Sequence, residues 1–196
     1  MIDVHDRRAL DITPPPCSDL FLVQTPVDFD LPWNSAINAV VPVTPDSDDV
    51  RRVGGLFPSY KSGIAVENYL LLNFQKEARA FENYPLSWSR HSGLETTDLR
   101  EVLAIQDTLK KKWGIHGFPQ GLGSVKAYIV ATATCSWREE VCVCRVSWGE
   151  EFHDKARLWS VNDLKHPRAW FAFRIPSHIS RSDLLPPPLF LANTSD

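Results

Sequence analysis

No segment of this chain supplies the ~20 consecutive apolar residues of a membrane-crossing helix. The opening MIDVHDRRAL also lacks the apolar run of an export signal. A soluble protein of the cytoplasm or another intracellular compartment is the expectation. Cysteine is scarce, four in 196 residues, and a chain of this length builds its core without covalent staples. Disulfides are therefore not the organising device. A dominant charge sign is missing too. Twenty-one Lys and Arg stand against 24 Asp and Glu, for a formal net charge of −3. That balance argues against nonspecific nucleic-acid binding over the whole surface, because phosphate contacts need positive charge. The sequence shows no internal repeat, heptad pattern or low-complexity domain.

Proline and tryptophan are what the sequence has in quantity. Eight of its 15 prolines fall in the first 60 residues, including Pro14–Pro15–Pro16. Each removes a backbone donor and interrupts a regular ladder. Residues 1–60 therefore read as an arm, with short edge strands at Phe21–Thr25 and Ile37–Val43. Residues 61–176 read as a compact body, since a hydrophobic fraction of 43% and a charged fraction of 23% are those of a globular domain. Residues 177–196 form a second proline-rich extension, in which Pro186–Pro187–Pro188 precedes Leu189–Phe190–Leu191.

Within the body, Val66, Leu70, Phe74, Ala78 and Phe81 recur at nearly helical spacing. This predicts a helix over Ile64–Asn83 with Ser62 as its cap. A second helix is predicted from Leu99 to Trp113, because Asp98 and Glu101 have capping-box spacing and Lys110–Lys111–Lys112 suit the last turn. From Ser124 to Trp148 the period becomes that of strands. A hairpin turning at Arg138–Glu139 puts Cys135 opposite Cys142, Ala133 opposite Cys144 and Ile129 opposite Trp148. One face is then apolar, from Ala127, Ile129, Ala131, Ala133 and Cys135 to Cys142, Cys144, Val146 and Trp148; its small side chains let a helix approach, while Ile129 and Trp148 fill the wider end. The other carries Thr132, Thr134 and Arg145 and is expected to meet water. Further strands are read near Trp170–Ile175 and Arg157–Ser160. The predicted fold class is α+β: a mainly antiparallel sheet of three to five strands packed by two helices, with irregular terminal arms.

The chemistry-bearing residues form no strong motif. Cys135, Cys142 and Cys144 with His153 or His166 offer zinc-type ligands, but without the paired Cys-x2-Cys spacing. Ordinary small core cysteines explain them more simply. A hydrolase reading takes Cys135 or Cys142 as nucleophile, His153 as base and Asp154 or Asp163 as its orienter, and finds no oxyanion loop beside them. His178-x-Ser180 lacks the second such element that phosphoesterase chemistry wants. Gly117–Gly123 lacks the Gly-Lys-Ser/Thr ending of a phosphate loop. Asp46, Asp48 and Asp49 read as a solvated turn rather than a calcium loop. No cofactor and no metal are assigned.

The aromatic inventory is more distinctive, with seven tryptophans. Trp137 flanks the predicted turn next to Arg138, with Arg145 further along the return strand. Tryptophan and arginine are the side chains that anchor protein interfaces. The functional expectation is therefore protein or peptide recognition, or assembly with a second copy, through Trp137, Arg138 and Arg145, extended by Leu189 and Phe190. A cysteine-dependent hydrolase is the alternative. Binding of RNA or single-stranded nucleic acid is the weaker one, with Arg51–Arg52, Lys110–Lys112 and Arg138 as its basic groups.

Overall fold

The computed structural model describes residues 17–32, 35–36, 52, 56–57, 61–74, 86, 92–113, 127–148, 156–164 and 168–179. Among these residues seven strands form one sheet: β1 (Cys17–Asp28), β2 (Ile64–Phe74), β3 (Glu95–Thr96), β4 (Ala127–Trp137), β5 (Glu140–Trp148), β6 (Ala156–Ser160) and β7 (Ala169–Arg174). Their order is β1-β2-β7-β4-β5-β6, and β3 pairs with the end of β7. The β4–β7 pair is parallel and the other pairs are antiparallel. One helix, α1 (Leu99–Trp113), packs on this sheet among the described residues. Among the described residues, the expected smaller antiparallel sheet with two helices is thus corrected to a seven-stranded mixed sheet with one helix. No helix among the described residues is long and apolar enough to cross a membrane.

The helix expected over Ile64–Asn83 is strand β2 from Ile64 to Phe74. The reason lies in the spacing. Val66, Leu70 and Phe74 are four apart, which suits one helix face and equally one strand face, because four is even. Tertiary burial decides between them. Tyr69 and Leu71 enter the core under α1, whereas Leu70, Leu72 and Phe74 enter a second core on the opposite face. A central strand covered on both sides reads as a continuous apolar run, and Tyr69–Leu70–Leu71–Leu72 is such a run.

The face expected to meet water is likewise buried at its centre. Val130, Val143, Phe171 and Phe173 lie there at 0% exposure, in one cluster with Leu70 and Leu72. Thr132 is buried, Arg145 is half-buried, and only Thr134 of the three expected polar residues is exposed. Residues 37–43, expected as a strand, lie outside the described residues.

Helix α1 begins where its sequence predicts. The Glu101 amide donates to Asp98 Oδ1 at 3.1 Å, and the Asp98 amide donates to Glu101 Oε2 at 2.8 Å. This reciprocal cap satisfies donors that the first helical turn leaves open. Leu99, Val102, Leu103, Ile105 and Leu109 then pack on Ala127, Ile129, Ala131, Ala133, Cys135, Cys142 and Cys144 in one core. Thr25 of β1 fastens the helix side-on, donating its hydroxyl to the Ala104 carbonyl at 3.2 Å.

The β4–β5 hairpin turns at Arg138–Glu139, with Cys135 opposite Cys142. The register then shifts between Val130 and Thr134, so Ile129 opposes Val146 rather than Trp148. Three residues of β4, Ala131 to Ala133, face the single Cys144 between paired positions, which is a bulge of two extra residues. A shift of two keeps every side chain on its face. The bulge marks the place where β4 leaves β7 and β3 takes over: Ala131 pairs with Ala172, while Thr96 and Glu95 pair with Phe173 and Arg174. Thr97 and Thr132 fill the fork, each donating its hydroxyl to the Ala172 carbonyl at 2.8 Å.

Candidate functional site

At the hairpin tip, Arg138 has φ +51° and Glu139 φ +67°. Two consecutive left-handed residues make a type I′ turn, which matches the twist of the strands and normally takes Asn-Gly. Here two long L side chains occupy it, at a strain of order 1 kcal/mol or more each. The Arg138 guanidinium carbon lies 5.5 Å from the Trp137 ring centroid. Trp137 is half-buried against the core beneath α1. Its indole N–H is buried and meets no acceptor. Arg138 and Glu139 are exposed, as is Val141, at 48%.

Arg145 does not join this tip. Trp137 shares the face of Ala133 and Cys135, while Arg145 lies on the opposite face, across from Val130. Five residues along β5 separate it from Glu140, the partner of Trp137, roughly 17 Å of strand. Its guanidinium carbon instead sits 4.2 Å from the Tyr128 ring centroid and 4.6 Å from that of Trp159. Those two rings are 5.7 Å apart. Trp159 of β6 had no place in the sequence reading of a site, because only the β5–β6 pairing brings it here. Leu189 and Phe190 lie outside the described residues.

The cysteines are built for packing. Cys135, Cys142 and Cys144 are free and buried on the face that receives α1. Burial, and then the neighbouring Cys142, push the Cys135 thiol up to about 11. Burial also raises Cys142 and carries Cys144 well above the ordinary thiol range. A nucleophilic cysteine needs the opposite shift. Among the described residues no group of three His, Cys, Asp or Glu side chains is placed to hold a metal ion. His153, Asp154 and His166 lie outside the described residues.

Sequence spacing gave no sign of a buried polar cluster at the start of α1. Glu101 Oε1 accepts from the Tyr69 hydroxyl at 3.0 Å and from Arg174 Nη1 at 2.6 Å. Arg174 also grips Glu95 Oε2 through Nε at 2.7 Å and Nη2 at 2.6 Å. Burial pushes the Glu101 carboxyl up to about 7, with Arg174 opposing and Asp98 adding to the rise. Burial first, and then Glu101, raise the Tyr69 phenol as well. The side chains satisfy one another and join β2, β3, β7 and α1. The cluster is a joint rather than an open site.

An open cleft of about 300 Å³ lies between the end of β1 and α1, lined by Val27, Leu31, Leu103, Asp28, Arg100 and Asp107 among others. Asp107 is paired with Lys111 at 2.6 Å, and Asp28 accepts from the Asp30 amide at 3.0 Å. No protein-family model, curated protein or solved structure matches the chain.

Proposed function

We propose that this chain is a protein-recognition module whose contact surface is the tip of the β4–β5 hairpin. The observation that carries the reading is the turn itself, Arg138 and Glu139 both held at positive φ without a glycine. Strain of this kind persists where the surroundings enforce it, and it clusters where segments bind. The unsatisfied Trp137 indole N–H points the same way, since a buried donor without an acceptor is uncommon in native folds. A partner segment laid across the tip would supply that acceptor and bury the exposed Val141. Arg138 and Glu139 at the turn favour a partner with a charged or amide-bearing side chain at the centre of its contact.

The hairpin is rigid behind its tip, because β4 and β5 lie within the sheet and Cys135 and Cys142 pack beneath α1. A prearranged surface loses little freedom on binding. Selection of a displayed random-peptide library against the full chain tests the reading. The selected peptides should lose about 2 kcal/mol of binding to Trp137→Ala, as an interface anchor does, and keep their affinity for Lys111→Ala on the exposed side of α1. Peptides that bind Trp137→Ala as well as the parent chain would overturn the assignment.

A further inference from the structure

We propose that Cys135 and Cys142 are a thiol-oxidation site, a dithiol that closes to a cross-strand disulfide by exchange with a low-molecular-weight disulfide and reopens in excess thiol. The site sits behind the hairpin tip and does not depend on that tip binding a partner.

The register carries the first part of the argument. Cys135 of β4 and Cys142 of β5 are direct partners, two rungs behind the Trp137–Glu140 pair that closes the turn. Both side chains belong to the core under α1. Directly opposed residues in an antiparallel pair hold their Cα atoms, and likewise their Cβ atoms, about 4.5–5.5 Å apart. A disulfide spans Cα atoms about 4.4–6.8 Å apart and wants Cβ atoms about 3.5–4.5 Å apart. The backbone is therefore in range, and the side chains must close by roughly 1 Å. The two thiols already sense each other, since charge on Cys142 adds to the rise that burial imposes on Cys135.

The same geometry excludes the third thiol of this face. Cys144 stands two residues along the strand from Cys142, roughly 7 Å away, and diagonal to Cys135, roughly 7–8 Å away. It has no exposed surface, whereas Cys135 and Cys142 keep 6% and 5% of theirs. The next residues on this face toward the tip are the half-buried Trp137 and the exposed Glu140. A small disulfide therefore reaches the pair from the tip.

Exchange balances without a further reagent. One cysteine, as its thiolate, attacks a sulfur of the small disulfide and expels a thiolate, which leaves a mixed disulfide on the chain. The second cysteine then attacks the protein-bound sulfur, and the second small thiolate departs. The two cysteines lose two electrons and two protons, and the small disulfide gains both as two thiols. Burial, which raises both cysteines, keeps the thiolate scarce, so the native pair reacts slowly at neutral pH and faster as the pH climbs. The closing movement strains the bridge, and strained disulfides are the readily reduced ones. Slow closure with ready opening marks a reversible redox site rather than a structural staple.

Incubation of the full folded chain with oxidised glutathione tests the site, followed by acid quenching, trypsin and mass mapping without reductant. Cleavage after Arg138 and Arg145 separates the peptide of Cys135 from that of Cys142 and Cys144. A disulfide-linked pair of these peptides should appear, form about tenfold faster per pH unit between pH 7 and pH 9, and vanish in excess reduced glutathione. Fragmentation should place the bridge at Cys142, and Cys144 should stay unmodified while it forms. Cys144→Ala should keep the linked pair, and Cys135→Ala and Cys142→Ala should each lose it. The site is overturned if glutathione remains as an adduct without closure, if the bridge involves Cys144 or Cys17, or if all thiols stay free. Modification of Cys144 at the same rate as the pair also overturns it, because the reaction would then run through unfolding. Should Cys135→Ala and Cys142→Ala fail to fold, Cys144→Ala decides, and loss of the linked pair there rejects the site.

Discussion

Glu101 shows how much one side chain can be asked to do. It closes the cap of α1 with Asp98, accepts from Tyr69 and meets Arg174. Its carboxyl is pushed up to about 7 because burial outweighs the cation beside it. A carboxyl that binds its proton more tightly in the folded chain adds stability that is complete below its unfolded value of about 4.5. That contribution is lost as the pH rises through 7. Asp98, also raised by burial, acts in the same sense. Urea midpoints of the parent chain should therefore fall between pH 5 and pH 8, and the slope should flatten in Glu101→Gln. A parent curve that rises over this range would contradict the assignment. Cys144 makes a simpler case. It is fully buried with no exposed surface, so Cys144→Ser places a hydroxyl where a thiol was content and should cost ~1–3 kcal/mol. Cys144→Ala should cost less, and the native thiol should stay unreactive to a thiol reagent until the chain is denatured.

At the scale of the element, the hairpin states its own prediction. Glu139 at φ +67° is a position where glycine carries no steric penalty. Glu139→Gly should raise stability by about 1 kcal/mol in urea unfolding, and Arg138→Asn should add to it. If the strain serves recognition, the stabilised double variant should bind selected peptides more weakly. The same hairpin shows how far local reading reaches. The turn position and the Cys135–Cys142 rung follow from alternation around two residues, and the start of α1 follows from a capping box. Both are decided within a few residues of sequence. Strand β2 was not legible because Val66, Leu70 and Phe74 obey both periods. Only the covering of both faces, a property of distant residues, separates strand from helix. Alternation alone puts Trp137 on the face of Cys135 and Arg145 on the other, so the separation of those two was present in the sequence. The contact of Arg145 with Trp159 was not, because it depends on β6 joining the edge of β5.

At the scale of the molecule, one arginine ties the layers together. Arg174 ends β7, pairs in register with Tyr69 of β2 and Glu95 of β3, and reaches Glu101 of α1. It sits just above the fork where β4 parts from β7, so four elements meet around a single guanidinium. Removing it leaves the buried Glu101 carboxyl without its cation. Breaking a buried pair from one side costs roughly 3–5 kcal/mol, because the remaining charge stays desolvated. Arg174→Met should show that loss at pH 8. At pH 5 the loss should be smaller, since a carboxyl already pushed up to about 7 takes a proton and sheds the charge. Hydrogen exchange should locate the damage, with amides at the start of α1 and in β3 losing protection before those of the β4–β5 pair. Equal losses at the two pH values would mean that Arg174 acts through packing alone. An early loss in β4–β5 would mean that the fork, rather than the guanidinium, holds the helix to the sheet.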